Sequence, residues 1–311
     1  MPELPDIEGY RVALSRSIVG SHLRALKLYH PFLLRTADVS PETVVDLQVR
    51  SVFRVGKRLA FEFAGDLYFV IHLMIAGRFR WTGSREATLP SVRPGPKTGI
   101  LAHFAFDTGL LTLTEAGSKR RASLHVVRGR DAVESMNRGG LEILGAGATA
   151  GEFANRLRSE NHTLKRALTD PRLFSGVGNS YSDEILFEAR LSPFLMTRSI
   201  SDEDSSQLFK AAVTVLTQWR DRFVAEAEQA FPKKVTAFRP EMHVHGKYGK
   251  PCDVCGTPVQ RIRYAENESN YCPTCQTGGK IFADRALSRL LKGDWPRTVD
   301  ELEKLDRPPL A

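Results

Sequence analysis

The chain opens with "MPELPDIEGY", which places Pro2 beside Glu3 just ahead of a predicted helix. Removal of the initiator methionine, which a penultimate proline favours, would leave the Pro2 nitrogen as a free secondary amine next to a carboxylate. A terminal amine has a lower pKa than a lysine ammonium, so part of it is unprotonated near pH 7 and can attack an electrophilic carbon. We therefore predict a nucleophile, Pro2, beside a proton-transferring acid, Glu3. The plainer interpretation is a stiff, proline-rich arm leading into a helix that Asp6 caps.

The four cysteines of the chain occur as "CDVC" at 252–255 and "CPTC" at 272–275, with sixteen residues between the pairs. Pairs at this spacing fold into two knuckles that close a tetrahedral site, and four thiolates leave no position for water. The pattern predicts one structural Zn²⁺, without which so small a finger would not fold. Four unrelated reduced thiols are the alternative, which the lack of any other cysteine disfavours. The predicted ligands are Cys252, Cys255, Cys272 and Cys275.

The stretch "LTDPRLFSGVGNSYSDEILFEARLSP" predicts a helix, a glycine turn at 176–178 and a second helix. We expect Asn179 or Ser180 to cap the second helix, with Asp183 and Glu184 in its first turn. Exposed amides at such a helix start, together with the Asn179 side chain, can hold a phosphate. A glycine turn without a ligand is the alternative.

Three further side chains stand in segments that could face a ligand. Lys57, in "FRVGKRLAF", is expected at a bend between strands, where an isolated lysine is normally a solvated edge residue. His243 and His245 would lie on one face of a short predicted strand, "MHVHGKYG". Two histidines without a third ligand seldom bind a metal, so we interpret them as surface or phosphate contacts.

These residues are positioned by two kinds of predicted structure. Residues 20–130 alternate apolar and polar side chains, with turns at "AGD" and "DTG", which predicts an antiparallel sandwich or flattened barrel with the first helix packed on it. From about 131 the periodicity becomes helical. The class is α+β. The predicted domains are a β-sandwich at 1–130, a helical domain at 131–240, a zinc finger at 241–276 and a basic C-terminal extension at 277–311.

Length and charge limit the class of protein. The 311 residues suffice for about two domains, and 44 Lys and Arg against 36 Asp and Glu give a net charge of +8, which favours a polyanionic partner. The sequence shows neither a signal peptide nor a run of eighteen apolar residues, so secretion and membrane spanning are not expected. Together with cysteines in a reducing setting, this predicts a cytoplasmic, nucleoid-associated protein.

The order and spacing of these segments resemble the formamidopyrimidine-DNA glycosylase and endonuclease VIII family of base-excision repair enzymes. The resemblance runs over residues 1–276, through "PELPD", "VGKRLAFEF", "HLMIAGRF", "GVGNSYSDEILFEARLSP", "GKYGKPCDVCG" and "NYCPTCQ". It implies an N-terminal antiparallel β-sandwich with a terminal helix, then a helix-two-turn-helix domain with a zinc-finger β-hairpin. It also implies a monomer that grips damaged DNA between the two domains and flips a nucleotide out of the stack.

The resemblance also assigns roles to individual residues. Pro2 is similar to the family's nucleophile, which attacks C1′ of the sugar, and Glu3 to its catalytic acid; β- and δ-elimination then cleave the strand. Lys57 resembles the lysine that reaches the lesion or its phosphate. Asp6 stands where the family has a glutamate, longer by one methylene, and by this resemblance Asp6 is a further candidate catalytic residue in a second proton relay. The positions that match DNA contacts are Met74, Ile75, Arg120, Arg121, Asn179, Lys247 and Asn267.

Several positions depart from the family pattern. Ile75, beside Met74, stands where many members carry a methionine wedge, and either apolar side chain can fill the gap left by a flipped base. Ala122 replaces an intercalating aromatic, and Asn267 replaces a phosphate-binding arginine. Residues 277–311 extend past the family's usual end, on a predicted basic helix that carries Lys280, Arg285, Arg289 and Lys292.

Three functions therefore compete. The first is a bifunctional DNA glycosylase with lyase activity on oxidised bases or abasic sites, which the presence of both Pro2 and Glu3 favours. The second is a binding protein of the same fold, a damage sensor or abasic-site trap with little base excision, which the missing finger arginine favours. The third, a ribosome-associated or RNA-binding zinc protein, accounts for the charge and the cysteines but leaves "PELPD" unexplained.

Overall fold

The computed structural model describes residues 1–84, 87–117, 119–264, 267–282 and 296–303. The chain divides into two compact units, one formed by Met1–Arg138 with Gln218–Thr236 and the other by Gly139–Thr217 with Ala237–Ala311. The four-part domain division drawn from the sequence remains a prediction.

The first unit is an antiparallel β-sandwich with one long helix. Its elements are α1 (Leu4–Ile18), β1 (Leu23–Leu28), β2 (Val49–Val55), β3 (Arg58–Phe63), β4 (Leu67–His72), β5 (Gly77–Gly83), β6 (Ile100–Phe106), β7 (Gly109–Glu115), β8 (Ser123–Arg128) and α2 (Arg130–Glu134). One sheet has the strand order β1-β6-β7-β5 and the other β2-β3-β4-β8, with antiparallel pairing throughout. The predicted sandwich and its two turns are therefore confirmed.

The core of this unit follows from the alternation of the strands. Every second side chain of a strand points to the same face, so the apolar set collects between the sheets. α1 closes this core with side chains spaced three and four residues apart, from Ile7 to Ile18. The phenylalanines with 0–1% exposure in this core are Phe61, Phe63, Phe69, Phe79, Phe104 and Phe106.

The second unit is helical and ends in a zinc-finger hairpin. Its elements are α3 (Ala150–Arg158), α4 (Leu164–Thr169), α5 (Asn179–Glu188), α6 (Asp202–Gln229), β9 (Gln260–Tyr264), β10 (Asn267–Tyr271), α7 (Pro273–Thr277) and α8 (Val299–Glu303). α6 starts in this unit and ends in the first. None of the described helices combines the length and apolarity that a membrane span requires.

Two local predictions in this unit are wrong. α5 is preceded by an extended Gly178 and begins at Asn179, so Asn179 is its first residue rather than its cap, and Asp183 lies beyond the first turn. The segment predicted as the strand "MHVHGKYG" consists of turns. The reason is that the Glu184 carboxylate accepts hydrogen bonds from the backbone amides of His243, Val244 and His245, at 2.7, 3.0 and 2.9 Å. The Glu184 carboxylate thus takes the three amide donors that in a strand would pair with a neighbouring strand.

The chain continues past the hairpin and folds back onto it. The Ile281 amide donates to the Arg297 carbonyl at 2.8 Å, and Lys280 bridges to Thr298. The Phe282 amide donates to Tyr271 Oη at 2.9 Å. The Phe282 ring lies 4.4 Å from that of Phe194. The predicted basic helix through Arg285, Arg289 and Lys292 lies outside the described residues.

Candidate active site and metal centre

The start of α1 fixes the position of Glu3. Glu3 is extended and occupies the N-cap position, and its own amide donates to Asp6 Oδ2 at 3.0 Å. This is half of a capping box, in which a side chain three residues into the helix reaches back to the cap. Asp6 is therefore in the first turn, and the prediction that Asp6 itself caps the helix is wrong. Glu3 is 1% exposed and Pro2 is also buried, so both lie inside the unit.

The chain's amino terminus lies among charged groups of this unit. Burial lowers the pKa of the Met1 amine, because removal from water disfavours an ammonium. The positive charges of Arg78 and Lys57 lower this pKa further, whereas Glu3 and Asp6 raise it. The structure thus brings together the amino terminus and the predicted residues Glu3, Asp6 and Lys57, and it adds Arg78, which the sequence analysis missed.

Lys57 lies in the two-residue turn between β2 and β3, behind Gly56, whose φ of +59° suits glycine. Burial lowers the pKa of Lys57, and the negative charge of Glu3 opposes this shift. Arg54 secures the turn, since its Nε donates to Glu8 Oε1 of α1 at 2.8 Å and its Nη1 to the Gly56 carbonyl at 3.0 Å. Arg54 therefore links the helix that carries Glu3 to the turn that carries Lys57.

The predicted wedge residues lie in the turn that connects the two sheets, between β4 and β5. Met74 has a φ of +53°, and its amide donates to His72 Nδ1 at 2.9 Å. The Gly77 amide closes the turn on the Leu73 carbonyl at 2.8 Å, and a Cβ at Gly77 would lie 2.2 Å from that oxygen. Ile75 is 50% exposed and Met74 partly buried. Of the two candidate wedges, Ile75 is the one that this turn presents to solvent.

His72 can serve as an acceptor because it stays neutral. Burial, reinforced by the positive charges of Arg58 and Lys57, lowers the pKa of His72 to about 3. Its Nδ1 lone pair is therefore available to the Met74 amide throughout the neutral range.

The loop after β7 carries the predicted contacts Arg120 and Arg121. Its backbone is held by Glu115, which is 1% exposed and whose Oε2 accepts from the amides of Arg121 and Ala122 at 2.8 and 2.9 Å. Arg121 is exposed and Arg120 partly so. Ala122 is 3% exposed and packs in the sandwich core. The side chain at this position therefore points inward, where an intercalating aromatic would not reach a ligand.

In the second unit, the start of α5 is tied to α4 by Lys165. Its Nζ donates to the Asn179 carbonyl at 2.5 Å and to Asp183 Oδ1 at 2.6 Å. Asp183 is fully buried, and its Oδ2 accepts from His245 Nδ1 at 2.8 Å and Asn270 Nδ2 at 3.0 Å. His245 is 4% exposed, so its interpretation as a surface or phosphate contact is wrong. The Asn179 side chain is partly exposed at the helix start.

The four cysteines form a compact cluster whose ligand atoms all lie within 4.8 Å of one another. Cys252 Sγ is 4.0 Å from Cys275 Sγ, and Cys255 Sγ is 3.4 Å from Cys272 Sγ. A tetrahedral Zn²⁺ with bonds of about 2.3 Å requires sulfur atoms about 3.8 Å apart. The cluster therefore fits one structural zinc. Lys247, just before the first knuckle, donates from Nζ to the Pro240 carbonyl at 2.6 Å.

The finger hairpin places Asn267 at its exposed end. Asn267 pairs in register with Tyr264, while Glu268 pairs with Arg263 and Asn270 with Arg261. Because alternate residues of a strand point to opposite faces, both arginines lie on the other face from Asn267. Arg261 Nη1 is 3.9 Å from Glu268 Oε2, and its guanidinium lies over the Tyr248 ring. Glu266, on the other side of Asn267, is outside the described residues.

Three models of known domains match the chain. The formamidopyrimidine-DNA glycosylase N-terminal domain matches residues 1–122, the H2TH domain of the same enzymes residues 140–219, and a zinc finger found in FPG and IleRS residues 249–278. The formamidopyrimidine-DNA glycosylase of Carboxydothermus hydrogenoformans is 30% identical over 286 residues, which cover 89% of this chain and 100% of the relative. The chain belongs to the formamidopyrimidine-DNA glycosylase family.

Other relatives of this family agree. The formamidopyrimidine-DNA glycosylase of Listeria innocua is 28% identical over 283 residues, which cover 89% of this chain and all of the relative. The crystal structure of the MutM (Fpg) protein from Thermus thermophilus superimposes with a TM-score of 0.74 at 31% identity, over 88% of this chain and 98% of that one. A mutant of Lactococcus lactis FPG, solved in complex with a DNA that contains Fapy-dG, shares the fold at 23% identity and a TM-score of 0.76, over 89% of this chain and 100% of that one.

The predicted family, its enzyme class, the α+β fold and the single structural zinc are thus confirmed. Membership of the glycosylase family also removes the RNA-binding zinc protein as a candidate. The individual catalytic and DNA-contacting residues remain predictions. The turns that carry them are held by Arg78, Arg54, His72 and Glu115, whose bonds to backbone groups no motif in the sequence marks; of these bonds, the one from Arg78 to Val235 spans 157 residues.

Proposed function

We propose that this glycosylase removes oxidised or otherwise damaged bases through a Schiff base on Pro2 and then cleaves the strand as an abasic-site lyase. The observation that supports this most is the placement of the amino terminus beside the buried Glu3 and the partly buried Lys57. A desolvated amine with neighbouring cations has a lowered pKa, which is the condition for an amine nucleophile at neutral pH.

In the proposed reaction, the Pro2 nitrogen attacks C1′, the bond from C1′ to the base breaks, and the base leaves with the electron pair and a proton. Ring opening gives an iminium ion between Pro2 and C1′. The iminium acidifies the C2′ proton, so its removal expels the 3′-phosphate, and a second elimination expels the 5′-phosphate. Glu3 carries protons at the sugar ring, a role for which a positioned carboxyl contributes typically ~10²–10⁴-fold.

The partner is proposed to be damaged DNA, bound by a monomer in the cytoplasm at the bacterial nucleoid. The net charge of +8 and the arginines after β7 support a polyanionic ligand. The start of α5, with the partly exposed Asn179 and its adjacent amides, supports a contact with the phosphate backbone.

DNA affinity is expected to fall steeply with salt, because each neutralised phosphate releases counterions, with a logarithmic slope of about −0.9 per phosphate on duplex DNA. Fluorescence anisotropy with a 5′-labelled duplex at several salt concentrations measures the slope. Asn179→Ala should weaken binding to all sequences alike, whereas Asn155→Ala, at an exposed asparagine of α3, provides the control. An affinity that does not change with salt would rule out the phosphate-contact model.

The chain is further proposed to prefer abasic, strongly distorting or single-stranded lesions over 8-oxoguanine paired with cytosine. An amide at Asn267 cannot replace a forked, permanently charged guanidinium in a phosphate contact. Arg261 and Arg263 lie on the other face of the hairpin, so they replace this charge only at a distance. Flipping a nucleotide costs a few kcal/mol, and a missing clamp therefore matters most for bases that remain stacked and paired.

Asn267→Arg tests this preference. We expect a selective gain on duplex 8-oxoguanine and little change on abasic DNA, measured as single-turnover rates on both substrates. Arg263→Lys is the control, because Arg263 is exposed on the other face of the hairpin and the substitution keeps its charge. Ser269, on the same strand as Asn267, is 1% exposed and would not accept an arginine. The preference is absent if the unaltered protein already excises 8-oxoguanine as fast as it cleaves abasic sites.

A binding protein with little base excision is the second candidate, which the amide at Asn267 favours. It would be trapped on abasic DNA yet leave every base-containing lesion intact, so an oligonucleotide panel with single lesions distinguishes the two functions.

A further inference from the structure

We propose that Arg78 is a positioning residue that holds the wedge turn, residues 73–76, and whose charge also acts on the amino terminus, so that insertion of Ile75 and attack by the terminal amine depend on one side chain. This inference rests on the proposed function. It concerns a residue that lies between two parts of the candidate site and that the proposed chemistry does not itself use.

The guanidinium of Arg78 donates to three backbone carbonyls. Its Nη1 donates to Gly77 and Ile75, at 2.6 and 3.2 Å, and its Nε donates to Val235 at 2.6 Å. Val235 follows α6, one residue before the chain leaves the first unit. Arg78 therefore joins the wedge turn to a segment 157 residues away in sequence.

The turn needs such support because of its conformation. Met74 adopts a positive φ that residues with a Cβ rarely take; this costs free energy, so the conformation persists only where surrounding contacts offset the cost. Ile75 is half exposed, so its side chain is not held by complete burial. Nη1 of Arg78 fixes the carbonyls on both sides of Ala76 and thereby the direction in which Ile75 points.

The same side chain acts on the amino terminus through its charge. Arg78 and Lys57 lower the pKa of the Met1 amine while Glu3 and Asp6 raise it, in addition to the effect of burial. Removal of Met1 moves the amino terminus by one residue, so the same charged groups are proposed to act on the Pro2 amine. Loss of the Arg78 charge should therefore raise the pKa of the amine, and a smaller fraction of the amine would be unprotonated at a given pH.

Two substitutions separate the two effects. Arg78→Lys keeps the charge but cannot reach three carbonyls, since a single ammonium lacks the planar fork. Arg78→Gln removes the charge as well. Arg80→Gln is the matched control, because it removes an equal charge from an exposed residue two positions further along the same strand.

The experiment measures single-turnover excision of a paired lesion and the pH profile of borohydride trapping on abasic DNA, with thermal melting alongside. For both variants we expect excision to slow roughly ten- to hundredfold, the range for losing hydrogen bonds from a charged donor. Only Arg78→Gln should move the acid limb of the trapping profile to higher pH. Arg80→Gln should match the unaltered protein in both measurements.

Two outcomes overturn the inference. One is that the unaltered protein is active and the Arg78→Gln variant excises the lesion at the same rate and shows the same trapping profile. The other is equal slowing of every step in both variants, with an unmoved pH profile and a lower melting temperature, which would indicate a structural role. If the unaltered protein neither excises nor traps, the proposed function fails instead, and the two failures are thus distinguished.

Discussion

Replacing Glu3 with glutamine is expected to slow base excision by about 10²–10⁴-fold while DNA binding is retained. Glutamine has nearly the same shape, and the amide of residue 3 keeps its hydrogen bond to Asp6, so α1 should begin at the same residue. What is lost is a carboxyl group that can exchange a proton at the sugar. Single-turnover excision and equilibrium binding, measured on the same lesion duplex, separate the two effects.

Glu134→Gln provides the control, since Glu134 is an exposed glutamate of the same unit that pairs across one helical turn with Arg130. Borohydride reduction on abasic DNA should give a covalent adduct, because only an amine bonded to C1′ yields a reducible iminium. Mass analysis of the adduct is expected to identify the peptide that begins at Pro2. An adduct that maps to Lys57 would show that the nucleophile is misassigned.

Loss of the zinc site should have the second large effect. Structural zinc contributes roughly 10–16 kcal/mol of apparent binding free energy in small sites of this kind. Cys272 is fully buried and follows the equally buried Tyr271, so Cys272→Ser removes a ligand from the best-packed side of the cluster. We expect the hairpin to unfold and DNA binding to fall sharply, while the β-sandwich retains its own melting transition.

Metal analysis of the reduced protein should give one zinc per chain, and none after Cys272→Ser. Thr274→Ala is the matched control, because Thr274 lies between two ligands in α7 and contacts Thr257 without binding metal. A reduced, freshly purified protein without zinc would contradict the assignment. So would a Cys272→Ser variant that binds both zinc and DNA normally.

The sequence predicts those parts of this protein that depend on local periodicity or on spacing. The alternation from residue 20 to 130 predicts the strands because a half-buried sheet requires it, and the cysteine pairs predict the metal because four thiolates at that spacing have few other arrangements. Lys57 could be placed at a bend because glycine precedes it between two apolar runs.

Prediction from the sequence fails where a side chain forms hydrogen bonds with backbone groups far along the chain. Glu184 accepts from amides about sixty residues away, and this converts a predicted strand into turns. Arg78 reaches a carbonyl 157 residues away. The residue type of Asp6 suits a cap, but the capping box puts Glu3 in that position instead. Neither composition nor periodicity carries information on such pairings.

The return of the chain onto the finger, through Phe282 and its neighbours, bears on where this protein can be shortened. The matched zinc-finger model ends at residue 278, and a fragment trimmed there would look complete by homology. Such a fragment would nevertheless lack the Phe282 ring that contacts Phe194. It would also lack the Phe282 amide, which donates to the hydroxyl of Tyr271, the residue next to a zinc ligand. The unit of folding at this end is therefore longer than the unit of homology, and expression fragments or fusion partners should be joined beyond residue 303.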